Sequence, residues 1–409
     1  MGRKREIMKN ILIVAALDTK GNEVRFIKER IEAYGANTVI IDAGILGEPL
    51  FPPDYTRHQV AEAAGSSIEK VRSDTSEGEA MEVLIKGAIT IAMQLFREGK
   101  IDGVLGIGGS MGTNLGTAVM RSLPIGFPKV MVTTMAAIGI VVPFYVGTKD
   151  INMFHSVADV AGLNRLTRTI FSNAAGAVVG MANAGLEKLE NKKLIALSTL
   201  GTTESAAQLT RELLGKSGYE SVTFHTTGVG GRSLEQTVLD SIVDGGVIEY
   251  SLHEWVDRIA GGLYASHDER FEGAGLMNLP AVYVPGSTDF IVEGPGCERF
   301  HGRSTHMHNR AITLYRTNRA EMKQLGEEVG AKLNKSTAPV TVVVPMRGFS
   351  VQDVEGGDLF DPEANMGFVE GIESKASGNL RVKRVDAHVL EGRFVQEVVH
   401  TFIENARFH

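Results

Sequence analysis

The sequence predicts an α/β protein built from two Rossmann-like, doubly wound domains with mainly parallel sheets. Short apolar runs alternate with segments of helical period along the whole chain, and its 47 glycines cluster where those runs end. The 409 residues also exceed the ~250–300 that one hydrophobic core accommodates, so two domains are expected. Strands separated by helices pair in parallel with helices on both faces. Ligands of such sheets sit beyond the carboxyl ends of the strands, so the loops that follow strands are where function is sought.

The first unit reads as a strand over Asn10–Leu17, a loop over Asp18–Asn22, and a helix marked by Val24, Ile27, Ile31 and Tyr34. Gly35 stops that helix, and a second strand, Thr38–Ile41, ends at Asp42-Ala43-Gly44. A shift of 183 positions lays Leu17 on Leu200, Thr19 on Thr202, Gly35 on Gly218 and Val39 on Val222. The βαβ unit therefore recurs, either by duplication or by convergence on a generic pattern. The charged stretch Glu187–Lys193 divides the chain into an expected nucleotide-binding domain, 1–188, and a second α/β domain, 189–409.

Within the first half, Ser76 and Glu79 form a capping box ahead of a long amphipathic helix through Met81, Leu84, Ala88 and Ala92. It leads to a strand over Ile101–Ile107, a Gly-rich loop, a helix, the strand Lys129–Thr133, the apolar stretch Gly139–Gly147 and a helical region over Val157–Ala184. The second half continues with helices at Leu234–Ile242, Leu252–Leu263, Arg319–Leu333 and Arg393–Phe402, and strands at Val247–Ser251, Ala281–Val284 and Val340–Val344.

Composition narrows the function classes. Net charge is -7, and the basic cluster Arg3-Lys4-Arg5 has no aromatic neighbours, which argues against nucleic acid as a partner. The single cysteine, Cys297, has no intrachain partner, and no cleavable leader pattern precedes Asp18. Apolar stretches such as Ile138–Val146 fall short of the ~20 residues that span a bilayer. A cytoplasmic protein with no membrane partner is expected. The small residues Ala174, Ala175, Gly176, Ala177 and Gly180 predict close helix packing and a homodimer or higher homo-oligomer.

The segment Leu105–Asn114 runs a strand into Gly108, Gly109, Ser110, Gly112 and Thr113 just before a helix. Backbone N–H groups at a helix start, unobstructed by side chains, suit an anion, and phosphate is the natural occupant. This is neither the dinucleotide fingerprint nor a Walker loop, and a tight strand-to-helix turn is the alternative. Asp18, Thr19 and Lys20 offer an acid, a hydroxyl and an ammonium suited to Mg²⁺, ribose or phosphate. Asp42 ends a strand where doubly wound folds place the acid that receives ribose hydroxyls. Thr133 and Asp150 complete the expected rim; any one of these residues alone reads as a cap or turn.

Val14–Gly21, Asp42-Ala43-Gly44, Gly106–Thr113 and Asp159–Asn164 resemble the ATP-binding domain of the plant tobamovirus-resistance protein and its free-standing bacterial relatives. The likeness spans nearly the whole chain. It implies a two-lobed Rossmann-like fold, self-association, and ATP, with Mg²⁺, held by the loops Asp18–Gly21 and Gly108–Thr113. Two departures stand out. Met111 occupies a position expected to be Gly, and Ala136–Val142 lacks the polar segment usual there. The resemblance implies a ligand more firmly than a reaction.

In the second half, His225 ends a strand beside a Gly-rich turn that carries Arg232, an acid/base and anion-clamp pairing whose alternative is a turn with a partly buried His. Downstream lie Asp289, Cys297, Arg299, His301, Arg303, His306, His308, Asn309 and Arg310. On a strand His306 and His308 would point the same way, and Asp289 or Glu293 would complete three ligands to a transition metal. A metal-free His/Arg site for an acidic substrate is the competing reading, and the resemblance supports His308-Asn309 over His306. Cys297 beside His301 is a conceivable nucleophile. Arg347 and Ser350 follow a strand, where Arg347 suits a carboxylate or phosphate unless it pairs with Asp353 or Asp358; Asp386 and His388 end the last strand.

The leading expectation is an ATP-binding enzyme acting on a small acidic metabolite between the domains, with His225, Arg232, His308 and Arg347 as its working residues. One alternative is a metal- or His-dependent hydrolase or carbon–carbon lyase whose Gly loop holds a phosphorylated substrate. Another is a non-catalytic protein regulated by ATP.

Overall fold

A computed structural model describes residues 8–73, 76–184 and 192–407. Arg3–Arg5 and most of Glu187–Lys193 lie outside the described residues. The chain divides at residues 188/189 into two compact units.

The first unit runs β1 (Lys9–Ala15), α1 (Leu17–Ala33), β2 (Ala36–Asp42), α2 (Arg57–Ala63), α3 (Ile68–Ser73), α4 (Glu77–Arg97), β3 (Gly103–Gly108), α5 (Ser110–Ser122), β4 (Lys129–Thr133), α6 (Val142–Val146), β5 (Asn152–His155) and α7 (Arg165–Asn183). Its sheet has the order β2-β1-β3-β4-β5 with every pair parallel. Successive strand residues point to opposite faces, so a strand buried on both must be apolar throughout. In β1, Leu12 and Val14 pack with Leu84, Ala88, Leu115 and Val119 from α4 and α5. Ile11 and Ile13 meet Val24, Ile27, Phe171 and Val178 from α1 and α7 on the other side.

The second unit runs β6 (Leu194–Thr199), α8 (Glu204–Lys216), β7 (Glu220–His225), α9 (Val229–Leu239), β8 (Gly246–Glu249), α10 (His253–Ala260), α11 (Gly273–Leu276), β9 (Ala281–Tyr283), β10 (Phe290–Glu293), β11 (Thr305–Met307), β12 (Thr313–Arg316), α12 (Arg319–Leu333), β13 (Val340–Pro345), α13 (Pro362–Lys375), β14 (Leu380–Val385) and α14 (Gly392–Arg407). Six parallel strands are ordered β14-β13-β9-β8-β6-β7. An insertion between β9 and β13 forms a separate antiparallel sheet, β10-β12-β11. Ala196 faces the core that includes α9, α10, α12 and α13, while Ile195 and Leu197 face α8 and α14.

Both parallel sheets place their first strand between the second and third, so the strand order reverses between β1 and β3 and again between β6 and β8. The 183-residue shift maps these elements onto one another. Ala15 pairs with Asp42 in the first unit and Thr199 with His225 in the second. Gly35 and Gly218, which follow the corresponding helices, both have φ +85°, a left-handed conformation that glycine adopts without a Cβ penalty.

Several local readings shift. The apolar stretch Gly139–Gly147 contains the short helix α6 and exposes Ile140 and Phe144. The helical region of 157–184 starts only at Arg165, where the Asn164 side chain caps the amides of Leu166 and Thr167. The strands β5, β10, β11 and β12 and the helices α2, α3, α11 and α13 are additional to those read from periodicity. Among the described residues, no helix is long and apolar enough to cross a membrane.

The crossing of α2 and α4 gives a direct check on this packing. A Cβ on Gly87 would run into the Val60 carbonyl, whereas one on Gly78, in the first turn of α4, would meet nothing within 4 Å. Gly87→Ala is expected to cost about 1–3 kcal/mol in a denaturant unfolding curve through overpacking. Gly78→Ala is expected to gain roughly 0.5–1 kcal/mol by relieving backbone entropy in the helix. Equal responses at the two positions would contradict the α2–α4 packing.

Candidate functional site

In the first unit β1 runs directly into α1 and β3 into α5, so two helix N-termini flank the point where strand order reverses. A Cβ on Gly108 would lie 2.7 Å from the Cα of Gly112, and one on Gly112 would lie 3.0 Å from the Ile107 carbonyl oxygen. These two glycines serve the close approach of strand and helix, as the tight-turn reading requires. Gly109 is different: it has open space around its missing Cβ, and it caps α5 with no side-chain hydrogen bond. Thr113 N–H is the first amide of this helix bonded to a carbonyl, leaving those of Ser110, Met111 and Gly112 without an acceptor among the described residues.

Beside this helix start lies a cavity of about 600 Å³ whose walls include Asp18, Thr19, Ile45, Arg72, Met81 and Met111. Asp18 is nearly buried, its side chain 6% exposed. Its Oδ2 accepts from the amides of Leu46 and Gly47, each at 3.1 Å, while Oδ1 is buried with no hydrogen-bond partner. Thr19 is an exposed residue of this wall, and Ser110 at the start of α5 is also exposed.

Other residues expected here have structural duties. Asp42 is buried and committed: Oδ1 accepts from the amides of Leu17 and Gly44, both at 2.9 Å, and Oδ2 from Arg57 Nε and Nη2 at 3.0 and 2.8 Å. No lone pair remains for ribose, which corrects that expectation. Thr113 and Thr133 are also buried and form a relay. The Met135 amide donates to Thr133 Oγ1, which lies 2.6 Å from Thr113 Oγ1, and Thr113 donates to the Gly109 carbonyl. Lys20 donates to the Val160 carbonyl, and Gly21 packs where a Cβ would come 2.5 Å from that of Leu50. Asp150 precedes β5 and accepts from Lys129 Nζ and the Gly126 amide, both at 2.8 Å. It therefore sits at the amino edge of the sheet, away from the rim it was expected to complete. Arg57 and Arg72 went unread because they lie on short helices between β2 and β3 with no motif around them.

In the second unit, a cavity of about 270 Å³ lies at the corresponding sheet edge. Leu200, Gly201 and Thr202 after β6 and His225 at the end of β7 form one side; the inserted antiparallel sheet, through Phe290, Val292 and Leu314, forms another. His308 reaches the cavity from the β11–β12 turn, which is shaped by Asn309: its Oδ1 accepts from the amides of Ala311 and Ile312 at 2.8 and 3.0 Å. Tyr264 and Gln352, neither singled out in the sequence, also line it. Burial, and after it the Asp257 charge, raise the Tyr264 phenol above its usual range.

The wall is anchored from below. Asp257 is fully buried; its Oδ1 accepts from the Val292 amide at 3.0 Å and its Oδ2 from the Tyr264 amide at 2.9 Å. His253, also fully buried, has Nδ1 2.8 Å from the Ser287 carbonyl and Nε2 3.3 Å from Asp257 Oδ2. Both ring nitrogens face acceptors, which favours the imidazolium. Burial pushes its pKa down, but the charge and hydrogen bond of Asp257, the Ser287 carbonyl and Glu254 outweigh burial and raise it.

The structure brings His225 and His308 to one cavity and leaves the other expected residues elsewhere. Arg232 is exposed on α9 and does not line it. Arg347 forms two 2.8 Å bonds to the Asp386 carboxylate and lines a different cavity, so neither Asp353 nor Asp358 is its partner. His306 and His308 do not share a ligand, because β11 ends at Met307 and His306 Nδ1 lies 2.7 Å from Asp358. Asp289 is fully buried and accepts from Ser350 Oγ at 2.7 Å. Thus His306, His308 and Asp289 do not converge, and among the described residues no group of three or more His, Cys, Asp or Glu is placed to hold a metal. Cys297 packs against the apolar core. His388 donates from Nε2 to the Ser350 carbonyl while Nδ1 accepts from the Leu390 amide, a structural role.

Models of the N-terminal and C-terminal domains of the uncharacterised protein family UPF0261 match residues 9–187 and 192–406. The chain belongs to the UPF0261 family. A UPF0261 protein of Clostridium tetani is 39% identical over 352 residues, covering 85% of this chain and 86% of that one. The ToMV resistance protein Tm-1(GCR237) of Solanum lycopersicum is 29% identical over 425 residues, covering 96% of this chain and 55% of the tomato protein. Among solved structures, a UDP-N-acetylglucosamine 2-epimerase covers 68% of this chain and 79% of its own at 9% identity and a TM-score of 0.25, too remote to bear on the site. The two family models meet where the units divide.

Buried acids in the second unit give a signed pH dependence. Burial above all, partly offset by the Arg270 charge and reinforced by that of Glu249, pushes Glu235 up from 4.5 to about 7. Burial and then the neighbouring Asp353 charge push Asp289 up from 3.8 to about 7. Between the ordinary and the raised pKa the native state binds more protons than the unfolded chain, so stability falls as pH rises. His253 acts in the same direction above 6.5, since its native form holds a proton that the unfolded chain has released. The melting temperature is therefore expected to be higher at about pH 6 than at about pH 8, with a shallower slope in Glu235→Gln. A melting temperature that rises over this interval would contradict the assignment.

Proposed function

We propose that the first unit binds ATP, with Mg²⁺, at the β1/β3 strand-order reversal, and that the protein is an enzyme using ATP on a small acidic metabolite. The observation that carries the nucleotide reading is that one cavity is lined both by Asp18, whose buried Oδ1 has no hydrogen-bond partner and whose Oδ2 lies 4.0 Å from Arg57, and by Met111 in the uncapped first turn of α5. A buried acceptor without a donor costs about 1–3 kcal/mol, which a ribose hydroxyl or the water of a hydrated Mg²⁺ would offset. The free amides of Ser110, Met111 and Gly112 and the positive helix end suit phosphate oxygens, and Arg72 adds a cation. Ile45, Val71 and Met81 offer an apolar surface to a base. The cavity volume of about 600 Å³ lies inside the ~300–1,000 Å³ usual for ligand sites. Mg²⁺ would supply charge neutralisation of the phosphates, with Asp18 as the side chain that holds its water.

The enzymatic half of the proposal draws support from His225 and His308, two potential proton carriers on the wall of one cavity in the second unit. Phosphoryl transfer and ATP-driven ligation both fit an acidic substrate.

Gly109→Asp tests the nucleotide site with little risk to the fold, because the position is open and Asp is a favoured N-cap that complements the helix dipole. ATP with Mg²⁺ is expected to raise the melting temperature of the parent, and the variant, equally stable without nucleotide, should bind at least about tenfold more weakly, or ~1.4 kcal/mol. No shift with any nucleotide, or an undiminished one in the variant, rejects the site. Release of ADP or AMP in the presence of a panel of carboxylic acids tests turnover. ATP that stabilises without being consumed points instead to a conformational ligand.

A further inference from the structure

We infer that the second unit carries its own small-molecule site, in which a monocarboxylate with an apolar body occupies the cavity of about 270 Å³ with its head against His225 and His308. The inference rests on the small-acid half of the proposed function and names its site and chemical class; it does not depend on where ATP binds.

Position is the first argument. The cavity lies at the carboxyl end of β6, beside the β6/β8 reversal, which is where open parallel sheets bind ligands. The equivalent edge of the first unit carries the cavity of about 600 Å³, so the two units present cavities at corresponding places in the shared topology.

Construction is the second. Burying a carboxylate is costly unless hydrogen bonds compensate it. Both oxygens of the buried Asp257 accept from main-chain amides of cavity-wall residues, Val292 and Tyr264, and His253 supports Asp257 from beneath. The His253 ring lies 4.9 Å from that of Phe290 and 6.0 Å from that of Tyr264, so the charged pair underpins two aromatic wall residues. Asn309 organises the turn that delivers His308. The wall is thus fixed before any ligand arrives, which lowers the entropic cost of binding.

Lining chemistry selects the ligand. Phe290, Val292, Ile312 and Leu314 supply an apolar surface, and the ionisable groups among the described lining residues are His225, His308 and Tyr264. With no aspartate or glutamate on this wall, a cationic ligand has no counter-charge; with no arginine or lysine, a multiply charged phosphate or diacid lacks the partners it needs. Two imidazoles donate N–H bonds in either protonation state, which suits one carboxylate head. The Tyr264 hydroxyl and the Gln352 amide can take the remaining lone pairs.

An isosteric trio tests this on the full chain by ligand-observed NMR: 3-phenylpropanoate, its amide, and 3-phenylpropylammonium. The acid is expected to bind at least about tenfold more tightly than the ammonium. His225→Gln and His308→Gln, both at exposed positions, should each weaken the acid several-fold while narrowing its advantage over the amide. Val351→Trp, on the exposed rim and so tolerable to the fold, should displace all binding by filling the cavity. Gly109→Asp should leave acid binding unchanged, separating this site from the nucleotide site. No binding of the acid at millimolar concentration, no preference over the ammonium, or a preference that survives both His substitutions and Val351→Trp overturns the inference.

Discussion

The second unit is organised around one guanidinium. Arg270 is completely buried and uses its donors on three carboxylates: Nε to Glu254 at 2.7 Å, Nη1 to Glu235 at 3.1 Å and also to Glu249, and Nη2 to Glu249 at 2.7 Å. Those carboxylates in turn hold the main chain. Glu254 accepts from the amides of Gly228 and Gly231 at the start of α9, and Glu235 from those of Phe271 and Gly273. The chain passes so close that a Cβ at Gly231 would run into the Glu254 carboxylate. Removing one member of such a buried network strands the others and costs about 3–5 kcal/mol, far more than an exposed pair contributes. The turn after His225 and the loop carrying Tyr264 both adjoin this network, so the geometry of the cavity wall depends on it even though Arg270 does not line the cavity.

The two units solve one topology with different polar anchors. In the first, Arg57 reaches from α2 to Asp42, and Asp42 holds the start of α1 through the Leu17 amide. The residue at the matching position of the second sheet is His225, exposed at the strand end. The acid that closes the first sheet edge is therefore replaced by a side chain free to meet a ligand, and the anchoring role passes to the interior network of Arg270. This exchange explains why equal topology does not give equal sites.

Much of the fold was legible in the sequence because parallel strands buried on both faces are short apolar runs, and helices such as α4 and α12 declare themselves by period, α4 also by the capping box Ser76/Glu79. The inserted sheet was not, because β11 is three residues long with two of them polar, and only pairing with β12 makes it a strand. The sites were legible by position and less so by identity. Strand ends selected Asp18, His225 and, through its turn, His308, which line the two cavities, but the same rule also selected Asp42, Thr113 and Thr133, whose polar groups are satisfied within the protein. A sequence shows that a polar residue ends a strand; it does not show whether the residue's hydrogen bonds are already made. Arg347 illustrates the point, since its partner Asp386 is 39 residues away.

That distinction also separates the buried acids that are left incomplete. Asp18, Asp289 and Asp353 each have a buried Oδ1 without a partner. Burial and the neighbouring Asp353 charge raise the Asp289 pKa to about 7, so protonation of Asp289 relieves part of the cost of its burial. Arg316 and Asn365 close the surroundings by hydrogen bonds, Arg316 to the Asp289 carbonyl and Asn365 to the Asp353 carboxylate. Asp18 is different in kind. It belongs to the wall of a large cavity, beside a helix start whose first amides are also unpaired. Asp289 lessens the cost of its isolation in a closed core by taking up a proton, whereas Asp18 lines an open cavity beside unmet helix amides, and the proposed nucleotide site rests on that pairing of acceptor and donors.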